Sequence, residues 1–160
     1  MKSTADLFDE YEHLLQSCSI QFRDFGGHKQ FFGPVRTLQC FKDNKLFKSL
    51  LSGPGEGAVL VVDGGGSLEA ALMGDMIAAL GVQNGWAGCV IFGAVRDAVE
   101  LATLEFGVKA IGVNPMKSTK KGEGEVDKRI EFGGARFEPG QWIYSDEDGL
   151  AIAPHELTSP

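Results

Sequence analysis

The chain has 160 residues, 43% hydrophobic and 23% charged, with a formal charge of −7. A chain of that length fits one domain burying roughly 70% of its unfolded surface, so residues 1–160 are expected to form a single unit. The charge excludes broad nucleic-acid binding, which needs clustered Lys and Arg, and no apolar run reaches the ~20 residues that span a bilayer.

Thr4 is placed to N-cap a first helix running to about Gln16, with Leu7, Phe8, Tyr11, Leu14 and Leu15 on its apolar face. Its start, Met1 to Glu12, is acidic and polar and lacks a signal-peptide apolar region. Phe25 to Pro34 reads as a glycine- and aromatic-rich loop, Val35 to Phe41 alternates like a strand, and Leu46 to Leu51 predicts a helix stopped by Gly53-Pro54-Gly55. Ala58 to Val62 is a continuous apolar run, as in a strand covered on both faces. Cys89 to Phe92 and Ala110 to Val113 are two more such strands, separated by helical stretches at 75–84 and 97–105. This βαβαβ order predicts a parallel arrangement. Lys117, Lys120 and Lys121, the densest basic run, read as a solvated loop. The last third predicts a meander of short strands, at Val126 to Phe132, Ala135 to Phe137, Trp142 to Tyr144 and Leu150 to Ala153, packed against the first set.

Cys18, Cys40 and Cys89 are far apart and form no CxxC, and His13, His28 and His155 lack ligand spacing. A zinc site is therefore not expected, and unpaired cysteines suit a reducing cytoplasm. Asp63-Gly64-Gly65-Gly66 follows a strand but is neither GxGxxG nor a phosphate loop, so it predicts a sharp turn or a close approach rather than a nucleotide site.

The chemistry concentrates at two junctions, Gly74-Asp75-Met76-Ile77 and Gly93-Ala94-Val95-Arg96-Asp97. At the first, either a helix runs from Ser67 through Asn84 with Gly74 as a flaw, or the chain breaks at Gly74 and Asp75 caps a new helix. The second option leaves the N–H groups of Met76 and Ile77 free to bind a carboxylate. At the second junction Asp97 with Glu100 has capping-box spacing, and Arg96 could form an ordinary salt bridge. Brought together, Asp75 and Asp97 would suit Mg²⁺ or Mn²⁺ with retained waters, and Arg96 would offer a planar fork to a 2-oxo acid carboxylate.

Several segments in order, Phe25-Gly26-Gly27, Cys40 to Asn44, Val61 to Ser67, Asn84-Gly85-Trp86, Gly93 to Asp97, Phe132-Gly133-Gly134 and Tyr144-Ser145-Asp146, resemble the RraA-like family. That family groups regulators of ribonuclease E with class II 4-hydroxy-4-methyl-2-oxoglutarate aldolases. Asp75, twenty intervening residues, then Arg96 and Asp97 match the D-X20-R-D motif of its aldolase-type members. The resemblance implies that Asp97 binds a divalent metal and Asp75 holds a metal-bound water. It implies that Arg96, with the backbone of Gly74 to Ile77, binds the pyruvyl end of the substrate. It further implies an α/β/β sandwich related to the phosphohistidine swivelling domain and a homotrimer with the site near a subunit interface. The implied activities are cleavage of 4-hydroxy-4-methyl-2-oxoglutarate or 4-carboxy-4-hydroxy-2-oxoadipate and decarboxylation of oxaloacetate. The alternative is a regulator docking on ribonuclease E. Dedicated aldolases of the family carry a longer C-terminal segment, whereas this chain stops at Pro160, which places decarboxylation ahead of aldol cleavage.

Overall fold

A computed structural model describes residues 1–157; Pro160, where the chain ends, lies outside them. The elements in chain order are α1 (Thr4–Tyr11), β1 (Gln16–Ser17), β2 (Arg23–Asp24), β3 (Phe31–Gln39), α2 (Lys45–Leu51), β4 (Val59–Asp63), β5 (Ala71–Met73) and α3 (Asp75–Gln83). They continue as β6 (Gly88–Val95), α4 (Ala98–Leu101), β7 (Gly107–Val113), β8 (Glu125–Val126), β9 (Ile130–Phe132), β10 (Ala135–Phe137), β11 (Trp142–Asp146) and β12 (Gly149–Ala153). The fold is thus mixed α/β, built on one large mixed sheet with few helices.

The parallel half matches the βαβ expectation. Strands β3, β4, β6 and β7 lie side by side and pair in parallel. Along β4 the side chains divide by parity, as a pleated strand requires. Leu60 and Val62 join Phe47 and Leu51 of α2 and Ile77 and Ala78 of α3 in one core. Val59 and Val61 face the other way, into a second core with Ile130, Phe132, Phe137, Ile143 and Ile152. Helices therefore cover one face of the parallel strands and the meander covers the other. Both contacts bury Val59 to Val62 of β4 completely, which explains their unbroken apolar sequence.

The two halves are joined by β3. Its residues from Phe31 to Pro34 pair antiparallel with β11, and those from Val35 to Gln39 pair parallel with β4. Proline is tolerated at this handover, because a missing N–H costs least where a strand changes partner. The strand consequently starts four residues before the alternating pattern does, inside the segment expected to be loop.

Other expectations need correction. Ser3, not Thr4, caps α1: its Oγ accepts the Asp6 N–H at 3.1 Å. Thr4 instead donates its N–H and its hydroxyl to the Asp146 carboxylate, each at 2.7 Å, and so docks the helix on β11. The helix stops at Tyr11 so that Gln16 and Ser17 can extend along β12. Residues 67–73 are not helical. They end in β5, which pairs with β6. The helix expected at 97–105 has only four residues; after it the Thr103 and Leu104 N–H groups bond three residues back, to the Glu100 and Leu101 carbonyls, and the Leu104 carbonyl accepts the Gly27 N–H at 3.0 Å. Gly26 has no Cβ to strike the Phe106 carbonyl, which a side chain there would approach to 2.1 Å. The strand expected at 126–132 splits into β8 and β9 at Asp127, whose φ is +59°. Asp127 is held by a two-point bond to Arg36, at 2.7 and 3.0 Å.

Cys40 and Cys89 are buried core residues, as expected. Burial pushes the Cys40 thiol up to about 12, with the Asp43 and Asp63 carboxylates adding to it, and raises the Cys89 thiol as well. Neither is a thiolate near neutral pH. Among the described residues no helix is long and apolar enough to cross a membrane.

Candidate active site

Strands β5 and β6 end at the same edge of the sheet and place both junctions there. Gly74 follows β5 and Arg96 follows β6, and the Arg96 N–H donates to the Met73 carbonyl at 3.0 Å, locking the two turns together. Gly74 itself is the N-cap of α3, with extended backbone, and Asp75 is the first helical residue. The chain does break at Gly74, but the cap is the glycine and not Asp75. The N–H of Asp75 points away from its helix, to Asp97 Oδ2 at 3.0 Å. Met76 is highly exposed at the helix start, and Ile77 is buried beneath it.

Asp97 does not behave as an ordinary cap. It precedes α4 with left-handed backbone, φ +62° and ψ +44°, and makes no side-chain bond to its own helix. That conformation is unfavourable for most residues and tolerated best by Asp, Asn and Gly. The backbone twist turns the carboxylate back toward α3 instead of forward over α4, so the capping-box reading with Glu100 fails. The Asp97 carboxylate is thereby brought beside Asp75, whose N–H it accepts. Contact with the Asp97 carboxyl, burial, and the Asp97 charge, with a small addition from Glu100, raise the Asp75 carboxyl above 3.8; the Met76 N–H pulls it partly back. Two carboxylates held against each other resist joint ionisation unless a cation joins them.

Gly74 makes this approach possible. A Cβ there would lie 2.3 Å from Asp97 Oδ2 and 3.2 Å from Arg96 Cγ. Since its φ is −127°, the requirement is for space, not for a special backbone. Gly74→Ala is therefore expected to leave the fold intact and displace the Asp97 carboxylate. Crystallography of the variant should show the bond from the Asp75 N–H lost; an unchanged bond would refute the steric account.

Arg96 forms no ion pair among the described residues. Its guanidinium Nη1 donates to the Pro115 carbonyl at 3.3 Å, which leaves most of its five N–H donors for another acceptor. It lines a cleft of about 290 Å³ with Asp97, Ala98, Val113, Asn114 and Pro115. The salt-bridge alternative for Arg96 is thus not realised. The Asn114-Pro115 turn was missed by sequence reasoning, although an Asn-Pro pair just after a strand is a turn signal.

Asp75 and Asp97 fit a hard divalent cation of the Mg²⁺ type. Such an ion keeps several waters and is held by one or two carboxylates, and no group of three or more His, Cys, Asp or Glu is gathered for a metal among the described residues. The exposed lysines 117, 120 and 121 lie on a strap rather than a free loop. Its Ser118 hydroxyl donates to the Ala71 carbonyl at 2.7 Å, and the Lys121 N–H donates to Asp43 Oδ2 at 2.6 Å.

Two acidic side chains and a guanidinium with no ion pair among the described residues thus lie together at the carboxyl ends of parallel strands, where open α/β sheets commonly bind small ligands. Comparison with known proteins gives the lineage: the chain belongs to the RraA-like family, whose profile, described as Aldolase/RraA, matches residues 4–152. It is 53% identical over 154 residues to a protein of Alkalilimnicola ehrlichii named "Putative 4-hydroxy-4-methyl-2-oxoglutarate aldolase", with 96% of each chain covered. A chain of matching length thus carries the aldolase name. Among solved structures, the RNA-processing inhibitor RraA from Thermus thermophilis is 42% identical with a TM-score of 0.95, covering 99% of this chain and 96% of that one. A Geobacillus kaustophilus protein, titled an S-adenosylmethionine: 2-dimethylmenaquinone methyltransferase, is 44% identical with a TM-score of 0.96, covering 98% and 97%.

Proposed function

We propose that the chain is a divalent-metal-dependent lyase acting on small 2-oxo acids. It would decarboxylate oxaloacetate and cleave 4-hydroxy-4-methyl-2-oxoglutarate, and 4-carboxy-4-hydroxy-2-oxoadipate, to pyruvate. The observation that carries this reading is the Asp97 carboxylate turned onto the start of α3, its Oδ2 accepting the Asp75 N–H at 3.0 Å, beside an Arg96 guanidinium that forms no ion pair among the described residues. The family and the aldolase name of the Alkalilimnicola relative support it.

Asp97 would hold the cation and Asp75 a water beside it. Mg²⁺ or Mn²⁺ bound there would supply Lewis-acid polarisation of the 2-oxo group. Arg96 would take the substrate's C1 carboxylate in a planar two-point contact, assisted by the first-turn N–H groups at Met76 and Ile77. It would also set positive charge where negative charge develops as the C3–C4 bond breaks. The water that Asp75 would hold is placed to carry and return the proton that C3 of the product requires. Oxaloacetate losing CO₂ and the aldol substrate losing its oxo acid leave the same electron pair on C3, so one site serves both. A trimer with the site near a subunit boundary belongs to the same proposal. The test is pyruvate release from oxaloacetate with Mg²⁺ or Mn²⁺, with and without chelator. The expected result is turnover above metal in buffer, abolished by chelator; no excess turnover would sink the reading.

A second reading, regulation of an RNA-processing ribonuclease, is favoured by the Thermus relative and by the charge of −7, which could complement a basic segment. It predicts co-elution with ribonuclease E that weakens with salt and survives Asp97→Ala. The methyltransferase title of the Geobacillus neighbour finds no support in the glycine turn after β4. A Cβ at Gly65 or Gly66 would meet Phe41 or Phe92 at 3.1 or 3.0 Å, so the turn is filled by the protein's own rings.

A further inference from the structure

Arg96 reaches the cleft from the end of β6, but the group that aims it lies on another segment. Its Nη1 donates to the Pro115 carbonyl at 3.3 Å. Proline offers no N–H in return, so the direction of that carbonyl depends on what fixes the turn around it. Asn114 fixes it from three sides. Its backbone N–H donates to the Val95 carbonyl at 3.0 Å, immediately before Arg96. Its side-chain Oδ1 accepts the Met116 N–H at 2.9 Å, closing an Asx turn over Pro115. Its Nδ2 donates to the Leu68 carbonyl at 2.8 Å, tying the turn to the segment that leads into β5. Beyond the turn, the Ala71 N–H donates to the Met116 carbonyl at 2.8 Å, so the far side of Pro115 is anchored to the strand that delivers Gly74 and Asp75.

We infer that Asn114 is a positioning residue for substrate binding: through the Pro115 carbonyl it sets the reach of the Arg96 guanidinium relative to the Asp75–Asp97 pair. The inference rests on the lyase reading, in which Arg96 takes the substrate carboxylate. The geometry gives Asn114 an effect that a surface turn residue would lack. One side-chain bond closes the loop after β7 on itself and the other joins that loop to the one before β5, and Arg96 lies between the ends of those strands. Releasing them frees the carbonyl that holds Nη1, and the fork must then be ordered at the cost of binding energy. The effect falls on recognition of the anion, because Asn114 supplies no group to the reacting bond.

The experiment compares Asn114→Ala and Asn114→Ser with the unaltered protein. The serine can still accept the Met116 N–H but cannot reach Leu68, so it retains the turn if alanine unfolds it. Affinity for oxalate, a planar dianion resembling the enolate of pyruvate, is measured by calorimetry with Mg²⁺ present. KM and kcat for oxaloacetate are measured in parallel, with melting temperature as a control on folding. Asn114→Ala is expected to weaken oxalate binding and raise KM by about tenfold while kcat falls much less, with the serine variant between. In an Arg96→Ala background the same substitution is expected to cause no further loss of oxalate affinity, since the two act as one unit. Equal oxalate affinity in the unaltered and alanine proteins, or full additivity with Arg96→Ala, overturns the inference. Absence of turnover in the unaltered protein sinks the lyase reading instead, and calorimetry still judges Asn114.

Discussion

Asp97→Asn is expected to lose metal-dependent pyruvate release by on the order of 10³-fold, about 4 kcal/mol of transition-state stabilisation, while melting close to the unaltered protein. The side chain has two separable tasks. One is local: Oδ2 accepts the Asp75 N–H at 3.0 Å, with the backbone at φ +62°. Asparagine can accept that bond and tolerates the left-handed region. The other needs a full negative charge for the cation, which asparagine lacks. Asp97→Ala should fail in both, adding about 1–2 kcal/mol of backbone strain to the lost turnover. Arg96→Ala should cost about 10²-fold, in the range seen when one oriented donor is removed from developing negative charge. The measurement is a coupled assay beside a thermal melt; an Asp97→Asn protein that turns over normally would remove Asp97 from the metal.

The largest stability loss is expected far from that carboxylate pair, at Asp43→Ala. Asp43 is 1% exposed and stands between α2 and the lysine strap. It accepts the Lys121 N–H at 2.6 Å, the Thr119 hydroxyl at 2.9 Å, the Gly122 N–H at 3.1 Å and the Lys45 N–H at 3.2 Å. Alanine would strand several of these donors, at about 1–3 kcal/mol for each that water cannot reach, so a total above about 3 kcal/mol is expected in urea unfolding. Burial pushes the Asp43 carboxyl up, but those four donors outweigh it and hold it below 3.8. Asp146 behaves alike: burial raises it, and bonds from Thr4 and the Asp148 N–H, with the Lys109 charge, bring it below 3.8. A carboxyl lowered by folding stabilises fully above its unfolded value and loses that contribution as pH falls through the folded one. Stability should therefore fall below pH 3.8, and Asp43→Asn should flatten the fall. An unchanged slope would show that Asp43 titrates as it does in the unfolded chain.

The sequence disclosed the parallel strands because complete burial leaves an unbroken apolar run, as at Val59 to Val62. It disclosed the two junctions because Gly-Asp and Arg-Asp after such runs are unusual. It could not disclose which way a carboxylate turns. Asp97 looked like a cap, and only its left-handed backbone sends it to α3. Thr4 looked like a cap for the same reason, and its hydroxyl is claimed by Asp146, distant in sequence. The strand β5 was hidden because three residues give no periodicity, and Asn114 because its partners, Leu68 and Met116, carry no pattern of their own. Local signals identify residues that can bond; tertiary neighbours decide with whom.

The split allegiance of β3 has a consequence for how the molecule comes apart. One nine-residue segment belongs to two ladders, so the helix-backed portion and the meander cannot part from each other without breaking the pairing of β3. Hydrogen exchange should report a single slow class of amides running from β11 through β3 into β4, released together in global unfolding rather than in two stages.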